Sequence, residues 1–402
     1  MAAAPEVTRS AAAIPRGVWM LGFVSLLMDV SSELIHSLLP VFMVTSLGAS
    51  AFMVGIVEGI AEATALIVKV FSGTLSDYLG KRKALAVFGY ALGAVSKPLF
   101  ALSTSIGGVL TARFIDRIGK GVRGAPRDAL IADLTQPEIR GAAYGLRQSL
   151  DTVGAFMGPL LAIALMLLFA GDFRAVFWFA VIPGVLSVAL LVFGVHEAER
   201  AQAPGAVRPP FHLGLVKALP PAYWWVVVAG GVFTLARFSE AFLLLRAQQQ
   251  GLPDSYAPLV LVLMNVVFAL SAYPMGRLAD RVNPLGLLAA GLVVLVAADV
   301  ALAVSPSLAV TAVGVALWGL HMGMTQGVLA ALVAASAPEN LRGTAFGFFN
   351  LVSGVALLLA SALAGLLWDA YGAPVTFYAG AVFAIGAFLL FTAARFSGAR
   401  RA

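Results

Sequence analysis

Ionisable residues are scarce in this chain, and several stand inside apolar runs where each is costly. Asp29, Glu33 and His36 fall at spacings of four and three, which puts them on one face of a helix. Glu58, Glu62 and Lys69 form a second such face, where the lysine could neutralise a carboxylate of either helix. The segment RFIDRIGKGVRGAPRDALIAD (113–133) is denser still. In it Arg113, Arg117 and Lys120 fall at i, i+4 and i+7, and Asp116, Lys120, Arg123 and Arg127 make an overlapping stripe. Further on, Arg147 precedes Asp151, Arg237 precedes Glu240, and His321 precedes Gln326. Charged groups in an apolar medium face a bundle interior or a wet cavity and mark solute and proton pathways. A carboxylate left there without a full partner exchanges its proton near neutral pH. A structural alternative stands beside this. Arg147 with Asp151 reads as a neutral pair holding helices in register, and Arg123, Arg127 and Asp128 read as gate or interface pairs.

The elements that position these residues follow from composition. Of 402 residues, 60% are hydrophobic and 11% charged, against roughly a quarter charged in soluble domains. Lipid is the natural solvent for such a chain. A helix crosses the hydrocarbon with roughly 20 apolar residues, and twelve such runs are read at 18–46, 51–78, 83–103, 107–132, 141–169, 174–195, 221–247, 256–280, 284–304, 308–335, 342–367 and 374–396. They are called spans 1 to 12. Alternate loops hold the basic residues: Lys81, Arg82 and Lys83, then Arg140, then Arg200, Arg208 and Lys217, then Arg277 and Arg281, then Arg342. By the positive-inside rule these loops and both termini are cytoplasmic. Arg174 and Arg246 are the exceptions. The expected organisation is a tail (1–17), a six-helix bundle (18–195), a Pro- and Arg-rich cytoplasmic linker (196–220), a second bundle (221–396) and a short tail (397–402). The first residues lack the apolar stretch of a cleavable signal. With no cysteine in the chain, disulfides and thiolate chemistry are excluded. The net charge of +6 belongs to loops and one helix and does not indicate nucleic-acid binding.

Two motifs recur at nearly the same offset. GTLSD (73–77) returns as GRLAD (276–280), and PEIRGAAYG (137–145) returns as PENLRGTAFG (338–347). Each half therefore has six helices, and duplicated halves with a site between them are the usual plan of secondary transporters. The run GTLSDYLGKRK (73–83) resembles the signature loop of the major facilitator superfamily, matching it at Gly73, Leu75, Asp77, Gly80, Lys81 and Arg82 and departing at Tyr78. The resemblance covers the whole chain. It implies an all-α membrane protein of twelve transmembrane helices in two pseudo-symmetric bundles. It also implies a conformational latch formed by Gly73, Asp77, Gly80, Lys81 and Arg82, with Gly276 and Asp280 as its second copy. In the latch Asp77 accepts from the exposed N–H groups at the start of a neighbouring helix. Lys83 reads as a topology determinant.

Gly154, Gly158 and Pro159 in span 5 resemble the superfamily's antiporter motif, a helix hinge, although Ala162 and Ile163 stand where its closing glycines belong. Plain small-residue packing is the other reading. Arg117, Lys120 and Gly121 resemble the helix 4 motif whose arginine takes part in proton coupling. DVSSE (29–33), the span 4 segment and ARFSEAFLLLRA (236–247) resemble a largely uncharacterised bacterial and archaeal branch, which implies no substrate. Since spans 1, 4, 7 and 10 line the cavity in that fold, the candidates are Asp29, Glu33, Arg113, Asp116, Arg117, Lys120, Arg237, Glu240 and His321. Glu33 or Asp29 is expected to carry a proton, tuned by Arg117.

The chain reads as a secondary active transporter of a small molecule working by alternating access, proton-coupled, with efflux of a drug-like or metabolite substrate ahead of uptake. The alternative is an organic anion or zwitterion symporter or exchanger using Arg117 and Arg237, and a non-transporting sensor is more remote. A zwitterion, or an anion exchanged against protons, fits the charge layout best. No nucleotide loop, metalloprotease motif or nucleophile elbow is present, so no enzyme activity and no cofactor are expected. A divalent metal on Asp29, Glu33 and His36 is disfavoured by the basic span 4. The expected partners are substrate, protons and the bilayer of the bacterial inner membrane, with a monomer as the functional unit.

Overall fold

The computed structural model describes residues 14–79, 81–136, 139–196, 217–279, 281–338 and 341–399. Among them there is helix and no strand. Span 1 comprises α1 (Arg16–His36) and α2 (Leu39–Thr45); spans 2 to 5 are α3 (Ala51–Leu79), α4 (Arg82–Leu102), α5 (Ile106–Leu134) and α6 (Arg140–Leu168). Span 6 comprises α7 (Phe173–Phe179) and α8 (Val181–Gly194), and span 7 comprises α9 (Pro221–Leu235) and α10 (Ala241–Gln249). Spans 8 to 12 are α11 (Leu259–Ala279), α12 (Pro284–Val304), α13 (Leu308–Ser336), α14 (Arg342–Tyr371) and α15 (Ala373–Ala399).

Ten of these spans are long and apolar enough to cross a membrane by length and composition. The two that fall short are informative. Span 4 is long enough, but its charges lower its hydropathy. Span 7 is interrupted between Leu235 and Ala241, which leaves Arg237 and Glu240 on irregular backbone. Such backbone survives at membrane depth only where protein or a cavity satisfies it, and here the Ser239 amide donates to Ser361 Oγ of α14 at 3.1 Å. Span 1 breaks after His36, where the Ser37 hydroxyl takes the Glu33 carbonyl at 2.7 Å and Pro40 brings no donor. Span 6 breaks at Ala180, whose carbonyl accepts from the Ser31 hydroxyl at 2.7 Å.

The repeat is visible in three dimensions. Helices beginning at Arg82, Ile106 and Arg140 return at Pro284, Leu308 and Arg342, an offset of 202 residues each time. Ser105 caps α5 by accepting from Gly108, and Ser307 caps α13 by accepting from Val310. Serine is favoured there because it satisfies an orphan amide of the first turn. The repeated arginine has a matching job in each half: Arg140 donates to the Ala132 carbonyl and Arg342 to the Ala334 carbonyl. Each tethers the end of one helix to the start of the next.

Arg174 and Arg246, the two exceptions to the charge pattern, are helix caps on the face opposite the basic loops. Arg174 donates to the Ala101 and Ser103 carbonyls at the end of α4. Arg246 donates to Leu302, Ala303 and Ser305 at the end of α12. A cation at a helix C-terminus answers both the free carbonyls and the helix dipole.

The two halves meet most extensively where α3 lies along α14. Near the face opposite the basic loops the approach is close: a Cβ on Gly365 would sit 2.6 Å from the Phe52 Cα, and one on Gly59 would sit 3.0 Å from a Leu358 methyl. At the end of that seam Asp369 of α14 accepts from the Ala51 and Phe52 amides at the start of α3, at 3.0 and 2.9 Å. The seam continues inward as far as Gly354, whose added Cβ would sit 3.4 Å from the Ala63 carbonyl oxygen and the Leu66 Cβ. Near the basic loops, an added Cβ on Gly124, Gly145, Gly327 or Gly343 would meet no atom within 4 Å.

Candidate functional site

A cavity of about 450 Å³ lies between the two halves. Span 1 supplies Glu33 and His36, span 2 supplies Glu58 and Glu62, and span 4 supplies Arg117 and Lys120. The other half supplies Arg237 and Glu240 from the broken span 7, with Asn265, Asn350 and Ser353. Apolar wall comes from Phe233, Phe238, Leu261, Trp318, Leu329 and Phe349.

The first-half charges form two connected groups, one around Glu58 and one around Arg117. Glu33 Oε2 lies 3.3 Å from His36 Nδ1, and His36 Nε2 lies 3.6 Å from Glu58. Glu58 accepts from Arg113 at 2.6 Å. Arg117 lies 3.2 Å from Glu62 and 3.7 Å from Asp116. Asp116 accepts from Lys97 at 2.7 Å, and Lys97 also donates to Ser32 at 3.0 Å. A buried ion survives only with such partners, so the two groups explain how span 4 tolerates its charge.

The candidates of the sequence reading separate into groups. Glu33, Arg117, Lys120, Arg237 and Glu240 line the cavity. Arg113 and Asp116 do not; they are buried behind its wall, tied to Glu58 and Lys97. Asp29 also stays off the cavity and lies against span 5, where a Cβ on Gly154 would come within 3.1 Å of its own Cβ. His321 is fully buried, with Nδ1 2.8 Å from the Gly291 carbonyl and its ring 5.5 Å from Phe233. Helical periodicity identifies a shared face but not which neighbour that face meets.

Three residues carry more than the sequence reading gave them. Glu58 and Glu62 are cavity residues paired with Arg113 and Arg117, and Lys69, which the spacing allowed as a partner, makes no ion pair with them among the described residues. Lys97, overlooked in an otherwise apolar span 3, is the buried partner of Asp116. A lone lysine mid-span was the signal that could have found it. On the span 5 side, Arg147 pairs with Asp151 as the spacing suggested, and Arg127 donates to Ser25 at 3.0 Å and to Asp128 at 3.0 Å. Arg123 stacks 5.1 Å over the Tyr90 ring. No group of three or more His, Asp or Glu is placed to hold a metal among the described residues.

The span 5 glycines serve close packing. A Cβ on Gly154 would sit 2.6 Å from the Leu26 carbonyl oxygen, and one on Gly158 would sit 2.6 Å from the Glu33 Cβ. The helix runs unbroken through Pro159. Of the latch loop, Gly80 and Asp280 lie outside the described residues, as do the side chains at 73 and 77. Arg82 bonds within its own half, to Asp133 at 2.5 Å and the Ala129 carbonyl at 3.3 Å, and Lys83 donates to the Val192 carbonyl at 2.8 Å. Lys81 and Gly276 are exposed. The linker at 197–216 is outside the described residues as well.

The family model described as Major Facilitator Superfamily matches residues 21–359 and 247–401. The chain belongs to that superfamily. It is 32% identical over 386 residues to an uncharacterized MFS-type transporter of Methanocaldococcus jannaschii, covering 94% of this chain and 95% of that one. It is 25% identical over 386 residues to the inner membrane transport protein YajR of Escherichia coli, covering 92% and 81%. Among solved structures, the nucleoside transporter NupG superposes with a TM-score of 0.78 at 12% identity, over 94% of this chain and 99% of that one, a likeness of fold. With superfamily membership the twelve-helix, two-bundle architecture and the transporter class follow.

Proposed function

We propose that this superfamily member is a proton-coupled secondary transporter that moves a small organic solute by alternating access, with export as its working direction. The observation that carries the reading is the chain Glu33–His36–Glu58 set in the wall of a cavity between two halves. A histidine between two carboxylates can pass a proton along the chain, and Glu58 keeps Arg113 as a partner when it does. Glu33 is the proton carrier in this reading. Asp29 is set aside for that role because it faces span 5 rather than the cavity. Arg117, held by Glu62 and Asp116, fixes the field in which Glu33 titrates.

In a bacterial inner membrane with the basic loops in the cytoplasm, the tight α3–α14 contact at the opposite face supports reading this as an inward-open form. A solute then enters from the cytoplasm, and closure at Gly124, Gly145, Gly327 and Gly343 with opening of the α3–α14 seam releases it outside. Export is favoured by the resemblance of the Gly154–Pro159 run of span 5 to the antiporter motif, in a helix that here stays unbroken and packs closely on span 1. The cavity lies within one chain, so a monomer suffices.

Proteoliposomes carrying an internal pH dye test the proposal with panels of organic anions, zwitterions and lipophilic cations. A solute that drives proton movement in the wild-type chain should drive none in Glu33→Gln, and should still drive it in Asp29→Asn. Unchanged proton movement in Glu33→Gln refutes the assignment of the carrier.

A further inference from the structure

We infer that the cavity is built for a zwitterionic solute with an apolar body, its anionic group held by Lys120 and Arg237 and its cationic group by Glu240. The inference rests on the reading of the cavity as the transport site. Glu58, Glu62 and Arg117 are each within 4.0 Å of an opposite charge, and Glu33 lies 3.3 Å from His36, which is a cation when protonated. Lys120, Arg237 and Glu240 line the same cavity with no ion pair among the described residues.

Lys120 is exposed to the cavity from the first half. Arg237 comes from the second half, with its guanidinium 5.7 Å from the Phe233 ring centroid and its Nε buried without a hydrogen-bond partner. The Ser353 hydroxyl of α14, on the same wall, is also buried without one. Buried polar groups without partners are costly unless a ligand supplies them. A lysine and an arginine facing from opposite halves suit a carboxylate or phosphate, which the arginine fork can take bidentately. Closing the halves on that group also converts binding into motion.

Glu240 supplies the second pole. Four residues of the same cavity wall act on it electrostatically: His36 and Glu33 from span 1, Glu62 from span 2, and Arg237 from its own span. Of these only Arg237 and a protonated His36 are cationic, and neither is within 4.0 Å of it among the described residues. An ammonium group on the solute fills that place. A purely cationic solute would leave Lys120 and Arg237 facing it. A purely anionic one would leave Glu240 opposed to it. Between the poles Phe233, Phe238, Trp318 and Phe349 offer an aromatic surface, and 450 Å³ admits a small molecule and no polymer. The solute's ammonium beside Glu240 opposes a proton on the Glu33–His36 pair, which gives the exchange of solute against proton a physical cause.

The test uses one body with three charge states: biphenylalanine (zwitterion), its amide (cation) and its N-acetyl derivative (anion). Binding is measured on the purified full chain in lipid nanodiscs with no pH gradient, and each variant's unfolding temperature is recorded alongside. The zwitterion should bind at least about tenfold tighter than either relative, the scale of one charged hydrogen bond. Lys120→Gln and Arg237→Gln should erase its advantage over the amide, and Glu240→Gln its advantage over the acetyl derivative. Glu240→Asp, which keeps the charge, should retain part of the selectivity. Equal binding of the three probes, tighter binding of the amide or the acetyl derivative, or no binding of biphenylalanine overturns the inference. If the binding order holds while proton movement is absent, the coupling reading fails alone. If the order fails while another solute still drives protons, the solute class fails alone.

Discussion

At the residue scale the two halves handle buried charge in opposite ways. Lys97 of α4 and Asp299 of α12 stand at equivalent positions, each 202 residues apart like their helices, and both are buried. Lys97 meets Asp116 at 2.7 Å. The residue equivalent to Asp116 in the second half is Trp318, so Asp299 has no counter-ion, and both its oxygens lack hydrogen-bond partners among the described residues. Its neighbours are the Phe238 ring and Gly380, whose added Cβ would sit 2.8 Å from the carboxylate. The same substitution should therefore act with opposite sign at the two acids. Asp116→Asn strands Lys97, while Arg117 keeps Glu62, and should cost about 3–5 kcal/mol, the price of breaking one buried pair. Asp299→Asn removes only a lone acid and should leave stability within about 1 kcal/mol or raise it. Unfolding of the two variants in one detergent, against the parent, reads the difference. Here the sequence was half legible. The spacing of Asp29, Glu33, Arg117 and Glu240 announced a charged interior, but nothing in the spacing says that Glu58 meets Arg113 or that Asp116 meets Lys97, because those pairs are made across helices.

At the element scale the reading went further, because repeats and apolar lengths are properties of the chain itself. All twelve spans stand where the apolar runs placed them. What the runs concealed were the breaks in spans 1, 6 and 7, each depending on a hydroxyl from another part of the fold or on a proline. The α3–α14 seam was equally hidden, since it depends on Gly59 and Gly365 meeting a particular partner. Its closing contact is the pair of bonds from the Ala51 and Phe52 amides to Asp369. A carboxylate at a helix N-terminus accepts strongly and also meets the positive end of the dipole. This contact joins the halves only while this face is closed. Asp369→Asn keeps one acceptor and loses the charge, a loss of about 1–2 kcal/mol. The expected result is a roughly tenfold shift toward the form open at this face, since 1.4 kcal/mol is about a factor of ten. Distance distributions between spin labels on α3 and α14 measure it, and an unchanged distribution would reduce Asp369 to an ordinary helix cap.

At the scale of the whole molecule, the proposed inward-open form is closed at one face and separated at the other, an asymmetry that labelling can read directly. The chain has no cysteine, so a single introduced thiol is the only one present. Gly145 and Gly327 face no atom within 4 Å near the basic loops, and Ser361 is fully buried in the α3–α14 seam. In this conformation Gly145→Cys and Gly327→Cys should react readily with a water-soluble maleimide and Ser361→Cys should resist it. Ser361 is the sharper reporter because its hydroxyl accepts from the Ser239 amide in the break of span 7, two residues from Arg237 and one from Glu240. Opening the seam must pull that break and therefore move both residues. Filling the cavity and opening the far face are then one event, and a solute that engages Arg237 and Glu240 should change Ser361→Cys reactivity in the direction opposite to Gly327→Cys. If the two thiols change together, the halves are loosening rather than alternating. If neither changes while the solute binds, the span 7 break does not transmit binding to the seam.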